Sequence, residues 1–255
     1  MLRAAMAISA VLLLWGGSAG AQARAASAGA APRDVREVFL ALPVPPAAPS
    51  RPLLSRVAPL LATRELRGRA LERALAADIG TVDARNGFLE LCVGDDRTAE
   101  CHGTALLTYF VRAGGERLVV LQVSNPDGMR TEDYFWTLAG GRFTPADPAR
   151  FLPDLTYADF WGDQPLPRGM TPRFFREMGA LTVAWPREGT TAWAYVQPLT
   201  EGMAEDDARV ERLIELYERR RVSTLALVWD RRRGVFTKGR AMPYDPNGEE
   251  DHDHH

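Results

Sequence analysis

Phe88-Leu-Glu-Leu-Cys-Val93, Thr104-Ala-Leu-Leu-Thr-Tyr-Phe-Val-Arg112, Arg117-Leu-Val-Val-Leu-Gln-Val123 and Asp133-Tyr-Phe-Trp-Thr-Leu138 are four apolar runs of strand length. They are rich in β-branched and aromatic residues, which pack well on a pleated surface. Ala113-Gly-Gly-Glu116 and Asn125-Pro-Asp-Gly128 separate them with turn chemistry, and Asn86-Gly87 opens the series. Residues 82–144 are therefore expected to form an antiparallel meander. Working outward, Ala180–Trp185 and Thr191–Pro198 read as a further hairpin, and Thr224–Trp229 with Val235–Lys238 as another.

Helices flank these strands. Asp34–Leu40 follows a proline and carries an acid in its first turn, so a short helix is expected. A second helix is expected over Thr63–Ile79, where Leu71, Leu75 and Ile79 recur at four-residue steps with Leu66 and Ala70 nearby. The third spans about 203–221, where Val210, Leu213, Ile214 and Tyr217 make one apolar stripe. Its first turn holds Glu205, Asp206 and Asp207 and its last Arg219, Arg220 and Arg221, charges that complement the helix macrodipole. The fold class is thus α+β: antiparallel meanders with two or three helices packed on one face. Trp136 to Thr144 and Trp229 to Thr237 share the pattern W-x4-G-x-F-T. Duplication of one α+β unit, with halves at 33–144 and 170–240, stands beside the simpler reading of two independent hairpins.

Residues 1–23 read as a secretory signal. Arg3 is the basic start, Ala4 to Trp15 the apolar core, and Ala21-Gln22-Ala23 the small-residue cleavage pattern. Crossing a bilayer as a helix needs about 20 apolar residues, so this core is too short for a permanent anchor. Residues 24–32 then form a flexible leader, 33–245 a single domain and 246–255 an acidic, histidine-bearing tail. The expected location is the periplasm or the extracellular medium. Basic and acidic residues number 31 and 33, so no global field invites nucleic acid. Lys238 is the single lysine, and a skew to arginine this uniform reads as codon usage of a GC-rich bacterial genome.

Cys92 and Cys101 are the only cysteines. Facing positions of a hairpin bring Cβ atoms to about 4.5–5.5 Å, near what a disulfide spans. An exported chain with two cysteines normally pairs them, so a Cys92–Cys101 disulfide is expected. Redox or zinc chemistry with His102 would need C-x-x-C or four-ligand spacing, and neither is present.

No motif names a reaction. His102 is the one histidine outside the tail, and its serine partners would be Ser50, Ser55, Ser124 or Ser223, none in a nucleophile elbow. Carboxylate pairs for glycoside hydrolysis could be drawn from Glu132, Asp133, Asp154, Asp159 and Asp163. The run Tyr157-Ala-Asp159-Phe160-Trp161-Gly-Asp163 has what a ligand groove uses and equally what a long loop uses to pin itself to a sheet. Its Tyr157, Asp159, Phe160, Trp161 and Asp163 are the candidate ligand-binding residues. His252, His254 and His255 could gather a divalent transition metal weakly with their acidic neighbours; no other cofactor is expected.

Val38-Phe39-Leu40-Ala41-Leu42-Pro43 behind a signal peptide, followed by a helix and Asp83-Ala-Arg-Asn-Gly-Phe-Leu-Glu-Leu91, resembles uncharacterised exported bacterial proteins known as domains of unknown function. The likeness covers 33–144; it implies export and an α+β fold and transfers no catalytic residue. The reading that follows is a non-enzymatic periplasmic or secreted protein that binds an envelope protein or a small ligand. The alternative is a carboxylate-dependent hydrolase of envelope polymers.

Overall fold

The computed structural model describes residues 32–45, 61–94, 101–125, 131–165, 181–197 and 208–245. Helix α1 (Val35–Ala41) starts where the Asp34 carboxylate accepts the Glu37 N–H at 3.0 Å, while the Glu37 carboxylate accepts the Arg33 N–H at 2.6 Å. Helix α2 (Arg64–Ala76) starts on Thr63, whose hydroxyl accepts the Leu66 N–H. Its buried face is Arg67, Ala70, Leu71 and Ala74, whereas Leu75 is 43% exposed; the helix ends at Ala76, short of the expected Ile79, which is 41% exposed beyond it. Of the expected residues Leu71 and Ala70 are buried and Leu75 is not. A helix advances 400° in four residues, so a row of four-residue steps drifts about 40° per step away from the core, and a 3/4 alternation stays on it.

Six strands form the first sheet in sequence order: β1 (Gly80–Asp83), β2 (Phe88–Gly94), β3 (Cys101–Val111), β4 (Arg117–Ser124), β5 (Thr131–Ala139) and β6 (Arg142–Pro145). Each neighbouring pair is antiparallel, the meander that the apolar runs predicted. The turn into β2 needs Gly87: its φ is +71°, and a Cβ there would lie 2.7 Å from the Tyr109 ring. Strand β4 is apolar on both sides because both faces of this sheet are covered. Val119, Leu121 and Val123 join α1 and α2 in one core, while Leu118 and Val120 join a second.

That second core is shared with a four-stranded antiparallel sheet, order β10-β9-β8-β7. Its strands are β7 (Leu181–Ala184), β8 (Thr191–Val196), β9 (Val222–Asp230) and β10 (Val235–Pro243). Ala192, Ala194 and Val196 alternate inward on β8, as Leu225, Leu227 and Trp229 do on β9. Two short helices, α3 (Tyr157–Trp161) and α4 (Ala208–Glu218), contribute Phe160, Trp161 and Leu216 to this core. Helices α1 and α2 pack together on one face of the first sheet, and α3 and α4 join the second core. In α4 Ile214 is exposed and Leu216 buried; the side chains of Val210 and Leu213 lie outside the described residues. Arg220 is buried, its guanidinium 3.6 Å from the ring centres of both Tyr217 and Tyr244. This arginine serves as a cation–π clamp on the chain beyond β10 rather than as an exposed dipole partner.

The two W-x4-G-x-F-T hairpins differ in register. Trp136 pairs with Pro145 across a two-residue Gly140-Gly141 turn, whereas Trp229 pairs directly with Phe236 across a longer loop. Moreover β3 and β5 flank β4 and run parallel, while β8 and β9, their counterparts at the same offset, are antiparallel neighbours. The cysteine hairpin also differs from expectation in register: Cys92 faces Thr104 and Cys101 faces Gly94, with an irregularity between. The two cysteines are therefore diagonal across a bulge, not opposite each other. Among the described residues no helix is long and apolar enough to cross a membrane.

Candidate functional site

Tyr157, Phe160 and Trp161 are 8%, 0% and 1% exposed. The Tyr157 and Trp161 rings stack at 4.6 Å and 2°, and the Trp161 indole N–H donates to the Leu216 carbonyl at 2.7 Å. The Phe160 carbonyl accepts the Arg221 N–H at 2.8 Å. The three aromatic side chains of the run are engaged in docking α3 onto the second core and onto α4. Asp163 is exposed at the end of the same segment.

Asp159 has a different position. One of its oxygens accepts the Thr156 N–H at 2.6 Å and the Thr156 hydroxyl at 3.0 Å, which fixes the start of α3. Both oxygens also meet the Lys238 ammonium of β10, at 2.7 and 2.8 Å. Burial would raise the Asp159 pKa, but the hydrogen bonds from Lys238 and Thr156 outweigh it and hold the carboxyl below its ordinary range. A carboxylate with a depressed folded pKa contributes stability above its unfolded pKa of about 3.9 and loses it as pH falls through the folded value. Asp159→Asn is therefore expected to cost up to about 1 kcal/mol at neutral pH, the pair being partly exposed. The gap to wild type should close below about pH 4. Urea denaturation across pH checks this, and a gap independent of pH counts against it.

Lys238 opens onto a groove of ≈ 370 Å³ between two chain segments. One wall is Arg150, Phe151, Leu152 and Pro153; the other runs from Arg233 through Val235, Phe236 and Thr237 to Lys238. The walls are joined by the Phe236 N–H, which donates to the Phe151 carbonyl at 2.7 Å. Phe151 and Phe236 are buried and close the bottom, while Leu152, Pro153 and Val235 are half-buried along the sides. Arg150 leans over the Phe151 ring, 5.9 Å from its centre. Arg233 is placed by the β9–β10 loop, where the Asp230 carboxylate accepts the N–H groups of Arg232 and Arg233. Among the described residues neither the Arg150 nor the Arg233 guanidinium has a carboxylate partner. Three cationic residues therefore line one groove, and among the described residues one of them, Lys238, is paired with a carboxylate, that of Asp159. Such a surface suits an anion with an apolar part.

The other carboxylates are dispersed. Glu132 and Asp133 are successive on β5 and so face opposite sides of the sheet. Glu132 accepts the Tyr134 hydroxyl at 2.8 Å. Asp133 lies between the sheets, accepting the Gln122 amide at 3.0 Å and the Trp185 indole at 3.1 Å, while Gln122 also donates to the Val183 carbonyl. Asp154 is exposed. The Ser223 hydroxyl lies 3.3 Å from the Met242 carbonyl. Ser50, Ser55, the tail histidines His252, His254 and His255, and the side chains of Cys101 and His102 lie outside the described residues. Among the described residues no three His, Cys, Asp or Glu side chains are grouped to hold a metal ion.

The groove cations Arg150, Arg233 and Lys238 are absent from the candidates that the sequence suggested. One signal pointed to them: a lone lysine in a chain that otherwise uses arginine throughout.

No family model and no curated protein matches this chain. Among solved structures it is similar to a domain of an uncharacterized protein from Porphyromonas gingivalis W83, at 14% identity and a TM-score of 0.43, over 83% of this chain and 99% of that one.

Proposed function

We propose that this protein is an exported, non-enzymatic binding protein of the bacterial envelope, with the groove between Arg150–Pro153 and β10 as its ligand surface. One observation carries the reading: Arg150, Arg233 and Lys238 line one groove with an apolar bottom, and among the described residues neither guanidinium has a carboxylate partner. Binding chemistry is served by this arrangement as it stands, since charged forks orient an anion and the apolar walls bury the rest of it. Export rests on the N-terminal signal pattern. The Cys92–Cys101 disulfide belongs to the same proposal; the hairpin register places the two cysteines on adjoining strands, near the ends of the pairing. Its effect would be to hold the β2–β3 hairpin in an oxidising compartment.

Native mass spectrometry of the protein purified from the envelope of its own host tests the whole reading. The expected species begins at Arg24, is two hydrogens lighter than the reduced chain, and carries an extra small mass that is absent from the Arg150→Ala/Arg233→Ala variant. A bound mass retained by that variant places the ligand elsewhere. A bare protein that degrades envelope polymers, and stops doing so in Asp159→Asn or Asp163→Asn, overturns the binding reading in favour of a hydrolase.

A further inference from the structure

We infer that the groove takes an apolar carboxylate and that Asp159 is its tethered competitor, occupying the Lys238 ammonium until the ligand's carboxylate replaces it. This rests on the groove being the ligand surface and goes further by naming the ligand class and the internal exchange. The geometry shows what this amine accepts: both oxygens of one carboxylate, at 2.7 and 2.8 Å. The ammonium side chain is 37% exposed and the Asp159 side chain 17%, so solvent reaches the pair, and Lys238 lines the groove together with Arg150 and Arg233.

The exchange is balanced in charge and in hydrogen bonds. A ligand carboxylate gains the ammonium and the two guanidinium groups, whose planar forks suit carboxylate oxygens. Asp159, once released, keeps the N–H and hydroxyl of Thr156 as donors, so no carboxylate is left stranded without a partner. The half-buried Leu152, Pro153 and Val235 leave room for an apolar body beside the charged head. The pair joins β10 to the first turn of α3 across 79 residues of chain, so occupation of the groove would also uncouple these two elements.

The single lysine makes the test direct, because lysine labelled with carbon-13 gives one Cε signal, that of Lys238. The probe is benzoate, titrated into the full mature chain. The expected result is a saturable shift of that signal. Affinity should rise about two- to fivefold in Asp159→Asn, the scale of removing a partly exposed ion pair, and fall in Arg150→Ala/Arg233→Ala. Unchanged or weaker binding by Asp159→Asn, with the arginine variant still impaired, overturns the competitor role and leaves the groove as ligand surface. No Lys238 shift together with no effect of the arginines removes the groove reading itself. Inorganic phosphate binding as well as benzoate overturns the requirement for an apolar body. Should Asp159→Asn not fold, the exchange is read in wild type from the Asp159 carboxyl carbon. Its titration midpoint should move up under saturating benzoate, and a midpoint that stays put overturns the exchange.

Discussion

Replacing Trp161 by alanine is expected to cost about 3–5 kcal/mol of folding stability, while Asp163→Ala stays within about 0.5 kcal/mol of wild type. Trp161 is 1% exposed, stacks on Tyr157 and meets Phe160 edge-on at 6.2 Å. Its removal leaves a cavity that the surrounding sheet cannot fill and strips the Leu216 carbonyl of its indole donor. Asp163 sits only two residues further on, in the exposed turn after α3, and has no such role. Urea denaturation of the two variants reads the difference. The same pair of variants separates the two uses of the aromatic run. If it docks the loop, Trp161→Ala loses stability and binds benzoate with the affinity of wild type while folded. A Trp161→Ala variant of normal stability that has lost its ligand would make the run the binding surface instead.

Much of the architecture was legible because its causes are local. The four apolar runs of the first meander are separated by Gly-Gly and Asn-Pro-Asp-Gly turns, and each run became a strand. Strand β1 escaped notice because Gly80-Thr-Val-Asp83 has a single large apolar residue and gets its order from pairing with β2. Helix α3 was hidden for a related reason: five residues carry too little periodicity to announce a helix, and Thr156 with Asp159 starts it by a hydrogen-bonded cap. The inward face of α2 was misjudged where apolar residues at four-residue steps drew more notice than the buried small and charged residues Ala74 and Arg67. The site was the least legible part. Arg150, Asp159 and Lys238 come from a short 3-10 turn (Pro148–Arg150), a helix cap and an edge strand, and no spacing rule connects positions 79 residues apart. Only tertiary packing brings Arg150 and Lys238 to one groove and Asp159 to the Lys238 ammonium, and composition carried the sole hint.

Phe110→Ala is expected to be as costly as the loss of Trp161, about 3–5 kcal/mol, and to impair the groove as well. Phe110 stands on β3 of the first sheet, yet its ring meets Phe236 of the second edge-on at 4.8 Å, with Trp229 at 5.5 Å and Trp185 at 5.9 Å. These contacts hold the two sheets together, and aromatic pairs of this geometry are worth about 0.5–1.5 kcal/mol each beyond the area they bury. Phe236 in turn closes the bottom of the groove and donates its N–H to Phe151, the bond that fixes the two walls at their separation. Loss of the Phe110 ring leaves Phe236 free to tilt into the vacated space, which widens the groove where Arg150 and Lys238 must reach one ligand. Phe110→Leu, which refills most of the volume, should lose about half as much stability and keep its affinity for benzoate. Denaturation and titration of the two variants together check the coupling. If Phe110→Ala unfolds more readily yet binds benzoate as wild type does, the groove walls are held by their own hydrogen bond and not by the sheet interface beneath them.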